Sequence, residues 1–398
     1  MSANISSNSK NLRRSVYAAG LFLTLTSSLV SYINSSFLAS LINEKWVGII
    51  YILASVITIG SFFYLPILIS KIDLKKILLW LAIITTTSIL VIGLVSKPAI
   101  IILGLFIFYY VTGALLRYSL DLYLETTSSD KLTGGIRGLF LTAINFAWLI
   151  SPFLAGLLLD GHERYQIVYL GAAIAGLPLI FLIFYGLKPQ KISSLNQTSK
   201  LGTTITELWQ AKTGPKCDIR NIIAIDLILN FFYALMVVYT PIYLHSHLGF
   251  SWDEIGIIFT IMLLPFILLN YPIGFLADKK IGEKEILIVG LLVMAGATIS
   301  LSFVWSSSLL VWALIMFLSR VGAASVETAK EIYLFKKIDS GDTSVLSLSR
   351  MMISFSYIIG PAFATIFLTL FDFRFIFVGL GLITLTGLIF ATALTDTK

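Results

Sequence analysis

Long apolar runs alternate with short polar breaks along almost the whole chain. A helix needs roughly 20 predominantly apolar residues to cross a bilayer. Twelve runs meet that length. They lie at Ser15–Ser40, Trp46–Ser70, Ile77–Ser96, Ala99–Leu124, Ile136–Leu159 and Gln166–Leu187. The second six lie at Ile219–Leu244, Trp252–Leu276, Glu285–Trp305, Leu309–Phe335, Thr343–Leu370 and Arg374–Leu394. Between the two sets runs a Ser-, Thr- and Lys-rich stretch, which predicts a polar linker over 188–218 joining two six-helix bundles, 1–187 and 219–398. The predicted fold class is therefore all-α and membrane-spanning.

Composition agrees with this division. Charged residues make up only 12% of the chain, against about 25% in soluble domains. The formal charge of +7 does not point to nucleic acid, because the basic residues sit in the breaks. Counting from an internal N-terminus, the external breaks hold Lys45, Lys97, Arg164 and Arg374. The internal ones hold Lys10, Arg13, Arg14, Lys71, Lys75, Lys76, Lys131, Arg137, the basic residues of the linker, Lys279, Lys280, Lys284, Lys336 and Lys337. This asymmetry predicts both termini on the cytoplasmic side of a plasma or inner membrane. The opening M-S-A-N-I-S-S-N-S-K reads as a short tail and not as a signal peptide. With one cysteine, Cys217, and three histidines, neither an internal disulfide nor a Cys/His metal site is expected.

The two sets of six repeat one another. Val47-Gly-Ile-Ile matches Ile255-Gly-Ile-Ile, and Asp121-Leu-Tyr-Leu matches Glu331-Ile-Tyr-Leu. Pro152 matches Pro361, and Arg164-Tyr165 matches Arg374-Phe375. The offsets run only from 208 to 210 residues, the mark of a parallel internal repeat.

A charged turn between the eighth and ninth runs reads P-I-G-F-L-A-D-K-K-I-G-E-K-E, Pro272 to Glu285. It resembles the signature of the major facilitator superfamily, roughly G-x-L-A-D-R-x-G-R-K, through Gly274, Leu276, Ala277, Asp278, Lys279, Gly282 and Lys284. Glu283 departs from it, standing where a basic residue is usual. The first-half copy, P-I-L-I-S-K-I-D-L-K-K, keeps only Asp73 and the lysines. A second motif, A-W-L-I-S-P-F-L-A-G from Ala147, resembles the family's antiporter signature G-x-x-x-G-P-x-x-G-G. It retains Pro152 and Gly156, and Gly360 and Pro361 repeat the idea in the eleventh run. The resemblance implies two bundles that rock about a central site, with helices 1, 4, 7 and 10 lining it. It also implies that Asp278 helps to latch the cytoplasmic ends.

Charges inside spans are costly and usually functional. Arg320 lies about 11 residues, or roughly 16 Å, into the tenth run. Its stripe carries Glu327 and Glu331. Asp226 lies about seven residues into the seventh run, with Asn230 and Tyr233 on the same face; it is the expected partner of Arg320. A carboxylate that alternates between paired and protonated states couples a proton to transport. Tyr109, Tyr110 and Arg117 in the fourth run, and Tyr32 in the first, complete the expected pathway. The first run's Thr24, Ser28, Ser31 and Ser35 either bond substrate or bond neighbouring helices. Asp121, Glu125 and Arg137 predict a charge relay at one end of the first half, with Glu327, Glu331 and Arg350 as its second-half counterpart.

Nothing in the pattern suggests an enzyme, and the lack of a Walker-type phosphate loop argues against ATP as the driver. The expectation is a monomeric, cofactor-free secondary transporter in the lipid bilayer. It would use a proton gradient to export small amphipathic molecules. An importer or exchanger of a small organic anion is the alternative within transport. A ligand sensor that moves nothing is the alternative outside it.

Overall fold

The structure, a computed structural model, describes residues 2–95, 97–127, 133–159, 164–191, 198–279, 281–305, 307–338 and 343–395. Within these, the side chains of 2–11, 13, 63, 66, 125–127, 133–139, 141, 142, 198–202, 271, 278, 279, 343, 344, 346 and 347 lie outside the description. The described residues are helical almost throughout and contain no strand. A chain crossing lipid must satisfy its backbone internally, and helices do so within each segment.

The first half comprises α1 (Ser2–Ser31), α2 (Asn34–Leu41), α3 (Glu44–Lys71), α4 (Leu74–Leu94), α5 (Ala99–Thr127), α6 (Thr133–Leu159) and α7 (Tyr165–Phe181). The stretch expected to be linker carries α8 (Thr198–Gln210). Then follow α9 (Pro215–Ile242), α10 (Trp252–Leu268), α11 (Asn270–Lys279), α12 (Glu283–Leu301), α13 (Leu309–Lys337), α14 (Thr343–Leu370) and α15 (Ile376–Thr392). Among the described residues, ten helices are long and apolar enough to cross a membrane, counting α10 and α11 as one. The bent pair α1–α2 is an eleventh, and Ala143–Leu159 within α6 is a shorter apolar helix. Together these occupy the positions of the twelve predicted runs.

Three local departures have physical causes. The first run is not one helix but two, bent by 43°. Thr26, Ser27, Ser28 and Ser31 all turn their hydroxyls back onto carbonyls of the preceding turn, a habit that bends helices. The eighth run breaks at Leu269. Pro272 has no N–H to offer the carbonyl of Leu268, and the ladder resumes with Ile273 N–H on Leu269 O at 2.9 Å. The sixth and seventh runs widen into π-helical turns, Leu182–Gly186 after Pro178 and Tyr243–His247 after Pro241. Such turns re-satisfy carbonyls that a proline frees. The residues ahead of the first span are helical and continuous with it in α1.

The chain forms two compact units, 1–195 with 251–256, and 196–250 with 257–398. The internal packing of one repeats in the other. In the first, α1 packs on α6 and α7, and α4 on α5 and α7; in the second, α9 packs on α14 and α15, and α12 on α13 and α15. The first unit's core gathers Leu23, Ile77, Leu78, Leu116, Leu120 and Tyr123. In the second, the closest approach is between α12 and α13. A Cβ placed on Gly322 would lie 2.4 Å from Met294 N and 2.6 Å from Gly290 O. Lipid tails are as apolar as leucine, so small residues that admit the neighbouring backbone do much of the holding. The charged turn before α12 uses Gly282 at φ +98°, a conformation other residues resist.

Candidate functional site

The second unit contains a buried ion pair. Asp226 lies in the interior of α9, 3% exposed, and Lys330 on α13 is 8% exposed. Lys330 Nζ lies 2.6 Å from Asp226 Oδ1. Asn230 Nδ2, one turn on, donates to the same oxygen at 2.9 Å, and Ser349 on α14 donates to Oδ2 at 2.5 Å. Three helices thus converge on one carboxylate. Burying a lone charge is expensive, and pairing with added hydrogen bonds is what makes it tolerable. Lys330 also reaches Glu331 Oε1 at 3.2 Å. The lysine therefore has one inner and one outer carboxylate.

Lys330 stands beside Asp226, where Arg320 was expected. Arg320 sits ten residues before Lys330 on α13, about 15 Å along the axis. Its guanidinium lies over Phe232, 4.7 Å from the ring centroid, and 5.8 Å from that of Tyr233. Arg320 is 2% exposed, so the pair of rings shields a cation deep in the unit. Tyr233 donates its hydroxyl to Glu327 Oε2 at 2.7 Å. In the second-half relay, Glu331 turns to Lys330 and is half exposed, Glu327 takes Tyr233, and Arg350 lies half-buried beside Ser349.

At the N-terminal end of α9 stands a second polar cluster. Asp218 meets Lys337 Nζ at 2.9 Å, the hydroxyl of Thr395, and the N–H of Thr395 at 3.1 Å. Tyr333 donates to Thr395 O at 2.9 Å. Lys284, expected in the gating turn, donates to Leu394 O at 2.8 Å. Fully buried Glu283 takes Lys336 at 2.5 Å. The acid that departs from the family signature thus has a basic partner at the end of α13. The side chains of Asp278 and Lys279 lie outside the described residues, and a Cβ placed on Gly274 would meet Ile332 at 3.9 Å.

In the first unit the expected pathway residues mostly meet one another or their neighbours. Asn34, at the start of α2, donates to Tyr109 OH at 2.5 Å and accepts from Tyr169 OH at 2.7 Å. Tyr110 packs edge-on to Tyr51, and Tyr32 edge-on to Trp148. Arg117 is exposed, with Nη2 3.3 Å from Ser27 Oγ. Ser28 bonds Ser151 across α1 and α6 at 2.6 Å, the helix-to-helix use of that hydroxyl stripe. Asp73 caps α4 by accepting from Lys75 N at 2.8 Å. Of the first-half relay, Asp121 is half-buried on α5, while the side chains of Glu125 and Arg137 lie outside the described residues.

Among the expected packing residues, a Cβ on Gly156 would meet Trp252 O at 2.8 Å, and one on Gly360 would meet Ala234 Cβ at 3.4 Å. Pro152 and Pro361 both stand inside helices, α6 and α14. Among the described residues no three His, Cys, Asp or Glu side chains are grouped as a metal site would need.

Sequence reasoning missed Lys330, Ser349 and the Asp218 cluster. Lys330 carried a signal: it is three residues from Glu327 on a helix, in register with buried Ala323 and Val326.

Among solved structures, the chain is similar to a bacterial homolog of the human lysosomal transporter Spinster, in an inward-facing and unoccupied conformation. That match has a TM-score of 0.71 at 11% identity, covering 97% of this chain and 95% of the other. It is also similar to a variant of the nucleoside transporter NupG, with a TM-score of 0.70 at 13% identity, covering 96% and 99%. These identities show a shared fold. No curated protein matches the chain. The sequence profile of the Major Facilitator Superfamily matches residues 14–253 and again 227–398. Through a match that reaches from the first span to the last residue, the chain belongs to the Major Facilitator Superfamily of membrane transporters.

Proposed function

We propose that this protein is a proton-coupled secondary transporter that exports small amphipathic compounds by alternating access, with Asp226 as the proton-carrying group. It works as a monomer in the plasma membrane, with both termini in the cytoplasm and no cofactor. The observation that carries the reading is the buried Asp226 carboxylate, which accepts from Lys330, Asn230 and Ser349 on three helices at once. A proton added to that carboxylate removes its charge and occupies one acceptor position. With the charge gone, the carboxylate's hold on the Lys330 ammonium weakens most, because that contact is the charged one. Lys330 has Glu331 within 3.2 Å to receive it. Proton binding thus becomes a rearrangement among α9, α13 and α14. Glu327, held by Tyr233 on the same helix pair, is the second carboxylate of the pathway. The aromatic share of 13% suits amphipathic cargo, and the Pro152–Gly156 motif favours export.

The experiment is transport in reconstituted vesicles with an imposed pH gradient, run over a compound panel. Asp226→Asn is expected to abolish accumulation against a gradient while leaving downhill exchange in place. If the variant still concentrates substrate in response to pH, Asp226 is not the coupling site, and Glu327→Gln becomes the variant to measure.

A second reading is import or exchange of a small organic anion. It is favoured by two buried cations, Arg320 and Lys330, in one unit. Net uptake of an anion, inhibited by Arg320→Gln, would decide for it. A sensor that binds without transport would show saturable binding and no flux in the same vesicles.

A further inference from the structure

The helix α8 does not behave as a tether. Its apolar residues Leu201, Ile205, Leu208 and Trp209 fall at i, i+4, i+7 and i+8, one stripe about 100° wide. Thr203, Thr206, Glu207 and Gln210 occupy the other side and are exposed or half-exposed. Among the described side chains of the stripe, protein covers one edge and leaves the other open. Leu208 is 5% exposed, in a helix that packs on α9 and α14, whereas Ile205 is 38% and Trp209 76% exposed.

Packing on α9 and α14, with a bond from Arg220 to a backbone carbonyl, holds α8 beside the first turns of α9. Arg220 Nη1 donates to Ala211 O at 2.9 Å, and Lys216 bridges Glu207 at 2.8 Å. Both contacts join the end of α8 to the first turns of α9. That candidate span begins at Pro215 and carries Lys216, Asp218 and Arg220 in its first turns, so α8 lies beside its polar end. Lys212 and Lys216 are exposed just beyond Trp209. The helix at its side, α14, turns Ile353, Ile359 and Ile366 outward, as a lipid-facing span does.

We propose that α8 is an in-plane anchor on an anionic lipid surface, with Ile205 and Trp209 entering the acyl boundary and Lys212 and Lys216 meeting headgroup phosphates. Tryptophan favours this boundary because its ring is apolar and its N–H is polar. An amphipathic helix there buries its apolar face roughly 5–10 Å below the headgroups. Lysines beside it are drawn to anionic lipid, and the effect fades within a Debye length. The Lys216–Glu207 bridge is no obstacle. Both side chains are more than half exposed, where such a pair holds weakly and Lys216 exchanges partners readily. The open edge of the stripe continues the lipid-facing surface of the unit, and the charge beside it has the sign that anionic headgroups select.

The test uses the full chain in vesicles of phosphatidylcholine alone or mixed with phosphatidylglycerol. Cys217 is the only cysteine, so Cys217→Ser gives a clean background. A nitroxide is then attached through Trp209→Cys, Ile205→Cys or Gln210→Cys, one at a time. Collision with oxygen, which enters lipid, is compared with collision with a water-soluble nickel chelate. The expected result is oxygen-dominated collision at 205 and 209, nickel-dominated collision at 210, and greater depth in the mixed vesicles. Nickel-dominated collision at all three positions would place α8 in water and overturn the proposal. Shielding from both reagents at 205 and 209 would mean that protein covers the stripe, and would overturn it equally. Lys212→Gln with Lys216→Gln is expected to cut the difference between the two lipid mixtures at least by half. An unchanged difference would remove the headgroup contact.

Discussion

Lys330 holds Asp226 at 2.6 Å, although the two lie on different helices and neither is more than 8% exposed. Removing one partner of such a pair strands the other charge. Lys330→Ala is expected to cost about 3–5 kcal/mol of stability. Replacing both, Asp226→Leu with Lys330→Met, is expected to recover most of that while transport no longer responds to a pH gradient. Thermal unfolding in detergent reads the first effect and vesicle flux the second. Equal destabilisation by the single and double replacements would show that the pair acts through packing alone.

The contact between α12 and α13 is tightest at Gly322, where the obstacles are backbone atoms of Gly290 and Met294. Backbone cannot rotate away as a side chain can. Gly322→Ala is expected to cost about 1–3 kcal/mol or more and to lower the yield of folded protein. Size-exclusion chromatography and unfolding midpoints measure this. Gly296→Ala, at a position with nothing within 4 Å, is the control and should be near neutral.

Lys336 bridges the fully buried Glu283 at the other end of the same helix pair. Lys336→Ala is expected to lower stability by about 1–3 kcal/mol, because a buried carboxylate loses its cation. Lys336→Arg should keep most of the stability. Parallel denaturation of the two variants separates charge from stem length.

Asp278→Asn is expected to slow transport several-fold at unchanged surface expression, since this turn carries the family's signature aspartate. The measurement is initial rate divided by protein at the membrane. An unchanged ratio would make the turn a topological loop and nothing more.

Much of the fold could be read from the sequence, because spans are fixed by length and hydropathy. The twelve runs and the repeat both follow from these. The break at Leu269 was legible in principle through Pro272, but the apolar run across it hid the discontinuity. Helix α8 escaped because its Ser/Thr/Lys content reads as linker, while its apolar residues mark a helix only at a spacing of 3.6. The site was harder. Arg320 drew the eye by its depth, yet depth along a helix does not say which neighbour a side chain faces. Lys330 lies nearer the helix end, and its long stem carries the ammonium inward to Asp226. Ser349 could not be foreseen, since pairing α9 with α14 needs the packing itself.

At the end of the last span, Lys284 addresses the carbonyl oxygen of Leu394 rather than its side chain. A carbonyl is the same in every residue. This bond therefore survives any substitution at 394 that the surrounding core admits. Comparison of relatives position by position would find no paired changes there, although the chain is held.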